Sequence, residues 1–190
     1  GQSPYALGVD LLAGRQGRVG LAVSTDAAKI RDKDDAARIR GLGDIDGTQR
    51  AHLYGLWLTP RHVVAVNLAA DIGGQDLGTT LSASWQLAFR PTPAWRLTIG
   101  PGFIWGNARH QRTVFGVDAG QATHSGFPVY RPDAAVTSVR LLASAHYQID
   151  RRWSTGLRFA YDRLRDDVAR SSIVERRYQG SMVAYGLYHF

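Results

Sequence analysis

The sequence predicts an all-β protein, an antiparallel up-and-down transmembrane β-barrel with about nine strands present in one domain over residues 1–190. Three observations carry that reading. Apolar and polar residues alternate with a period of two over long segments. The connections between those segments alternate short and long without exception. The chain ends in phenylalanine, with a tyrosine two positions earlier.

The first segments, residues 5–13 and 18–25, are joined by Gly14-Arg15-Gln16-Gly17. Residues 48–58 and 62–70 follow, joined by Thr59-Pro60-Arg61. These four alternate faintly. From Leu81 the pattern is plain: Leu81, Ala83, Trp85, Leu87 and Phe89 share one face, with Ser82, Ser84, Gln86 and Ala88 between them. After Pro91-Thr92-Pro93, Trp95, Leu97, Ile99, Phe103 and Trp105 alternate with Arg96, Thr98, Gly100 and Gly102. Val139, Leu141, Ala143, Ala145, Tyr147 and Ile149 oppose Arg140, Ser144, His146 and Gln148. Beyond Asp150-Arg151-Arg152, Trp153, Leu157, Phe159 and Tyr161 oppose Ser154, Gly156, Arg158 and Asp162, and residues 179–190 make the last strand. A helix would bring Arg96, Arg140 and Arg158 round to the side of their apolar neighbours; a strand keeps them apart. Segments of about nine to twelve residues have the length a tilted strand needs to cross a bilayer.

The long connections are residues 26–47, 71–78, 106–135 and 163–178. Short turns on one side and long loops on the other are the habit of outer-membrane barrels. With short turns periplasmic, the last strand runs downward and so does the first. Bacterial barrels hold even strand numbers, so the parity predicts a partial barrel lacking an odd number of N-terminal strands.

Composition agrees. The 190 residues are 44% hydrophobic with mean hydropathy -0.22, values that a barrel reaches by averaging its two faces. No run approaches the roughly 18–20 apolar residues of a spanning helix. Cysteine is absent, which removes disulfides and thiolate metal sites. The formal charge of +7 comes almost wholly from arginine, with lysine only at Lys29 and Lys33. These arginines are scattered and mixed with aspartate, and no compact basic face for nucleic acid can be drawn.

An arginine facing lipid at mid-bilayer costs about 2–4 kcal/mol. Arg96, Arg140, His146 and Arg158 are therefore expected to face the lumen. Trp85, Trp95, Trp105, Trp153, Tyr147, Tyr161 and Tyr188 are expected near strand ends, at headgroup level. The tail Met182, Ala184, Gly186, Tyr188, Phe190 resembles the carboxyl-terminal signal of outer-membrane proteins. That resemblance implies the bacterial outer membrane as location, with its lipid and the barrel assembly machinery as partners, and Tyr188 and Phe190 as the recognised residues.

Loop segments carry a further resemblance. Gly41-Leu42-Gly43-Asp44-Ile45-Asp46, Phe115-Gly116-Val117, Ser125-Gly126-Phe127-Pro128-Val129-Tyr130, Tyr161-Asp162-Arg163-Leu164, Asp166-Asp167-Val168-Ala169 and Ser172-Ile173-Val174 resemble stretches of the MltA-interacting protein/OmpV family, in order and spacing. Arg165 and Asp166 stand where that pattern has Leu and Gly. The resemblance implies an outer-membrane barrel with about three strands ahead of Gly1. It also implies a scaffold linking a murein lytic transglycosylase to a peptidoglycan synthase, and hence a murein hydrolase and that synthase as partners. A narrow solute channel, or a ligand-binding or adhesin barrel, is the alternative, with Arg96, Arg140 and Arg158 giving anion preference.

No catalytic constellation stands out, and no enzyme, cofactor or metal is expected. The histidines form neither an i, i+4 pair nor an H-E-x-x-H pattern. Asp32, Asp34 and Asp35 lack the Gly and Glu of a calcium loop. Ser144, His146 and Asp162 could approach across neighbouring strands, though lumen residues satisfying one another is the simpler expectation. Ser125-Gly126 is no nucleophile elbow. Gly41, Gly43, Gly73 and Gly74 read as turn residues with positive φ. Residues 106–135 are too long for an idle loop, and Phe115, Gly116, Val117, Phe127 and Tyr130 are expected to form a plug or a partner-binding surface.

Overall fold

A computed structural model describes residues 5–25, 31 and 41–188. The strands are β1 (Tyr5–Gly14), β2 (Gly17–Thr25), β3 (Gln49–Leu58), β4 (His62–Asp71), β5 (Thr79–Phe89), β6 (Trp95–Gly106), β7 (Ala135–Gln148), β8 (Trp153–Leu164) and β9 (Tyr178–Tyr188). They form one nine-stranded sheet in chain order, and each neighbouring pair is antiparallel. β1 and β9 are not paired with each other. No helix among the described residues is long and apolar enough to cross a membrane.

Every expected strand is present. β5 starts at Thr79 and β7 at Ala135, where the expected long connections 71–78 and 106–135 end, although the clear alternation begins only at Leu81 and Val139. Gln111 holds the start of β7, its Nε2 donating to Ala135 O at 3.0 Å and to Thr137 Oγ1 at 2.8 Å. The connection before β7 holds α1 (Ala108–Phe115) and α2 (Ala119–Ser125). A one-turn helix, α3 (Asp166–Ala169), lies between β8 and β9.

Two of the short turns are fixed by side chains. Thr59 Oγ1 accepts from His62 N at 2.9 Å. Asp150 Oδ1 accepts from Arg152 N at 2.7 Å and Trp153 N at 2.8 Å, which holds its carboxyl below the usual range. Gly43 and Gly74 have positive φ, as expected, whereas Gly41 and Gly73 do not.

The registers carry across the sheet, so rows of one face can be followed. Val9, Leu21, Leu53, Leu68, Leu81 and Trp105 form one row. Leu87, Ile99, Ala143, Phe159 and Met182 form another. Asp10, Gly20, Tyr54, Asn67 and Ser82 lie on the opposite face. The apolar face is not a core: Trp85 remains 46% exposed and Phe159 43%. The buried apolar side chains Leu42, Leu77, Val117 and Val168 belong to the connections at the long-loop end.

Aromatic pairs mark the short-turn end of the apolar face, with Trp95 against Tyr147 at 4.7 Å and Trp153 against Tyr188 at 4.9 Å. At the other end Tyr161 stacks on Tyr178 at 6.0 Å. Trp85 departs from the expectation. It stands mid-strand in β5 rather than near an end.

One ladder is interrupted. β5 and β6 pair as far as Ser84 and Gly102 and resume at Leu87 and Ile99 in the same register. Pro101, opposite Trp85, has no N–H to give. Beside it Gly100 approaches so closely that a Cβ would collide with the Trp85 carbonyl oxygen. The result is a gap without a slip.

Candidate functional site

The polar face is a set of cross-strand contacts. Toward the long-loop end, Arg140 and Asp162 oppose each other on β7 and β8. Arg140 donates from Nε to Oδ1 at 2.8 Å and from Nη2 to Oδ2 at 2.9 Å. Ser138 Oγ adds a contact to Oδ1 at 3.3 Å. Toward the short turns, Arg96 faces His146, whose ring stacks on Tyr185 at 6.2 Å. The Arg158 guanidinium lies over the Tyr185 ring at 5.2 Å, within cation–π reach. Thr98 Oγ1 contacts Gln86 Oε1 at 2.7 Å and Ser144 Oγ at 2.8 Å. On the early strands, Ser24 meets His52 at 2.8 Å, and Tyr54 donates to Asp10 at 2.5 Å.

All four predicted lumen residues, Arg96, Arg140, His146 and Arg158, therefore share the polar face. Their chemistry differs. Arg140 is neutralised by Asp162, while neither Arg96 nor Arg158 has a carboxylate partner among the described residues. Ser144, His146 and Asp162 do not assemble: Thr98 engages the serine, Tyr185 the histidine and Arg140 the carboxylate. Among the described residues no three His, Asp or Glu stand together as a metal group. Asp32, Asp34, Asp35 and Phe190 lie outside the described residues.

The long loops fold on one another into a cap. Asn107 is a hub: its Oδ1 caps α1 through His110 N at 2.9 Å and accepts from Thr79 N at 3.2 Å. Asp71 accepts from Thr48 Oγ1 at 2.6 Å, Leu77 N at 2.9 Å and Gly73 N at 3.0 Å. His110 Nδ1 donates to Leu77 O at 2.8 Å, and burial lowers its pKa below the ordinary value. Arg31, on the β2–β3 connection, donates to Val114 O at 2.7 Å, and Gln121 Nε2 to Leu42 O at 2.8 Å. These two contacts tie the early loop to the late one.

Of the predicted plug or partner residues, Gly116 and Val117 are buried inside the cap. Val117 bridges to Tyr130, whose hydroxyl donates to Asp167 O, and Ser171 Oγ donates to Phe115 O at 2.6 Å. Phe115, Phe127 and Tyr130 are half-buried. Asn107, His110 and Gln111 escaped the sequence reading, although Asn107 is a helix-capping residue type directly after a strand. So did the capping box of α2, whose Asp118 and Gln121 have the right spacing.

A one-layer antiparallel meander, apolar on one face, polar on the other and closed over by folded loops at one end, defines a barrel-type β-sheet protein. Within that class the chain belongs to the family of MltA-interacting protein MipA, which it matches over residues 2–190. A search of curated proteins gave no match.

Proposed function

We propose that the protein is a barrel of the bacterial outer membrane that acts as a non-enzymatic scaffold, joining a murein lytic transglycosylase to a peptidoglycan synthase. Family membership carries the partner side of this reading, through the interaction its name states. The membrane side rests on the exposed apolar face. Rows of Leu, Ile, Phe and Met left half-exposed suit hydrocarbon, with their backbone groups paired in the sheet. The polar face then lines the lumen and the cap lies outside the cell. Tyr188, packed on Trp153, is part of the assembly signal for the barrel machinery. Affinity capture from detergent extracts, using the full-length protein as bait, should recover a membrane-bound lytic transglycosylase. Capture of no murein hydrolase, with the bait folded, sinks the scaffold.

One observation favours a second reading, a narrow anion-preferring channel: Arg96 and Arg158 stand on the polar face without carboxylate partners among the described residues. Single-channel recording of the full-length protein distinguishes the two. Discrete anion-selective steps support the channel, and a silent bilayer supports the scaffold. Removing residues 113–130 should raise conductance if the cap is a plug.

A further inference from the structure

On the apolar face, over the stretch where β5 and β6 carry Ala83 and Pro101, lies a groove of about 640 Å³. That size falls within the roughly 300–1,000 Å³ typical of small-ligand sites. Its floor holds the small residues Ala83 and Pro101, and Trp85, Phe103, Leu141 and Tyr161 stand round them. The position is set by sequence: Ala83 and Pro101 are the small residues of their strands on this face, so the floor stays low between the larger side chains around it. A neighbouring row crosses the sheet as Ala83, Phe103, Val139, Arg163 and Tyr178. Arg163 lines the groove at its long-loop end.

Arg163 is exceptional. Following every register, the charged residues of the described strands lie on the polar face, with Arg163 alone on the apolar one. It has no carboxylate or carbonyl partner among the described residues. From Trp153 to Arg163, β8 climbs roughly 25 Å at a tilt of about 40°, the height of an apolar band. The guanidinium therefore stands at the level where headgroups begin, above the apolar groove. A planar cation with several donors matches a phosphate. The groove beneath it matches an acyl chain.

We propose that this groove is a lipid site, taking one acyl chain of a phosphorylated, multiply acylated glycolipid of the outer leaflet, with its phosphate on Arg163. The site rests on the outer-membrane reading above. Charge complementarity selects the phosphate, and the position of Arg163 at the long-loop end selects the outer leaflet over the inner one.

The test uses the full-length protein in zwitterionic detergent, titrated with bis-phosphorylated hexa-acyl glycolipid and read by native mass spectrometry. Arg163→Gln should weaken binding about tenfold, and Arg163→Lys should recover part of that loss. Ala83→Phe, which fills the hollow, should weaken it independently. The dephosphorylated glycolipid should bind the wild type and Arg163→Gln alike. Heat-dependent gel migration shows that each variant is folded. Equal affinity of wild type and Arg163→Gln for the phosphorylated glycolipid overturns the site. So does phosphatidylglycerol binding as tightly as the glycolipid. Fractionation separates the two layers of the argument: outer-membrane protein with no lipid preference loses only the site, while protein absent from that membrane loses both.

Discussion

Arg140 and Asp162 face each other across β7 and β8, joined by two parallel charge-assisted hydrogen bonds, 2.8 and 2.9 Å long. The side chains are 26% and 16% exposed, so water screens the pair only in part. A double-mutant cycle with Arg140→Ala and Asp162→Ala should give a coupling of about 1–3 kcal/mol in urea unfolding from lipid vesicles. A coupling near zero would show that the fork contributes no more than an exposed surface pair.

The apolar face can be challenged directly. Ile99, 44% exposed in the middle row, should cost about 2–4 kcal/mol when changed to Arg in a protein refolded into a bilayer. A change within about 0.5 kcal/mol is what a water-facing position gives, and it would contradict the membrane reading.

Two glycines separate close packing from mere small size. Gly100→Ala should destabilise by about 1–3 kcal/mol or block refolding, because its Cβ meets the Trp85 carbonyl and Gln86 Cα. Gly180→Ala meets nothing within 4 Å and should stay within about 0.5 kcal/mol. Refolding yield and urea midpoints of the two variants provide the comparison.

Gln111 is fully buried and ties α1 to β7. Gln111→Leu should leave the strands intact and loosen the cap by about 1–3 kcal/mol. Amide hydrogen exchange should then rise over α1 and residues 135–138 alone.

The cap should also be sensitive to pH. Burial lowers the His110 pKa from its ordinary value of 6.5, so the folded cap keeps the ring neutral with Nδ1 donating to Leu77 O. The unfolded chain takes up the proton first as pH falls. Stability of the cap is therefore full above about pH 6.5 and declines as pH drops toward the lowered folded value. Limited proteolysis of the 106–135 segment should accelerate on acidification in the wild type. His110→Gln should flatten that dependence.

The wall was legible in the sequence because alternation and turn chemistry are local. Leu81 to Phe89 and Trp153 to Tyr161 announce their faces without reference to any other strand, and the register merely aligns them. The polar face was legible by elimination, since arginines cannot share the apolar rows. Pairing was not: nothing local says that Arg140 meets Asp162 while Arg96 and Arg158 go without a carboxylate. The cap was the least visible part. Its hub residues act through contacts from distant loops, such as Arg31 to Val114, and the helices there are too short to show a clear period. Arg163 was visible as a motif residue, but its isolation on the apolar face emerges only when all registers are followed together.

Among the described residues each strand pairs only with its neighbours in the chain, so every pairing between described strands joins neighbours in the sequence. Such a wall can be lengthened or shortened by duplicating or deleting a hairpin, much as a fence gains a panel. The rim is different, because the contacts of Arg31 and Gln121 bind early loop to late one across the whole span between them. Hairpins are free to come and go only where those ties still reach, so the rim sets how far the girth of the wall can drift.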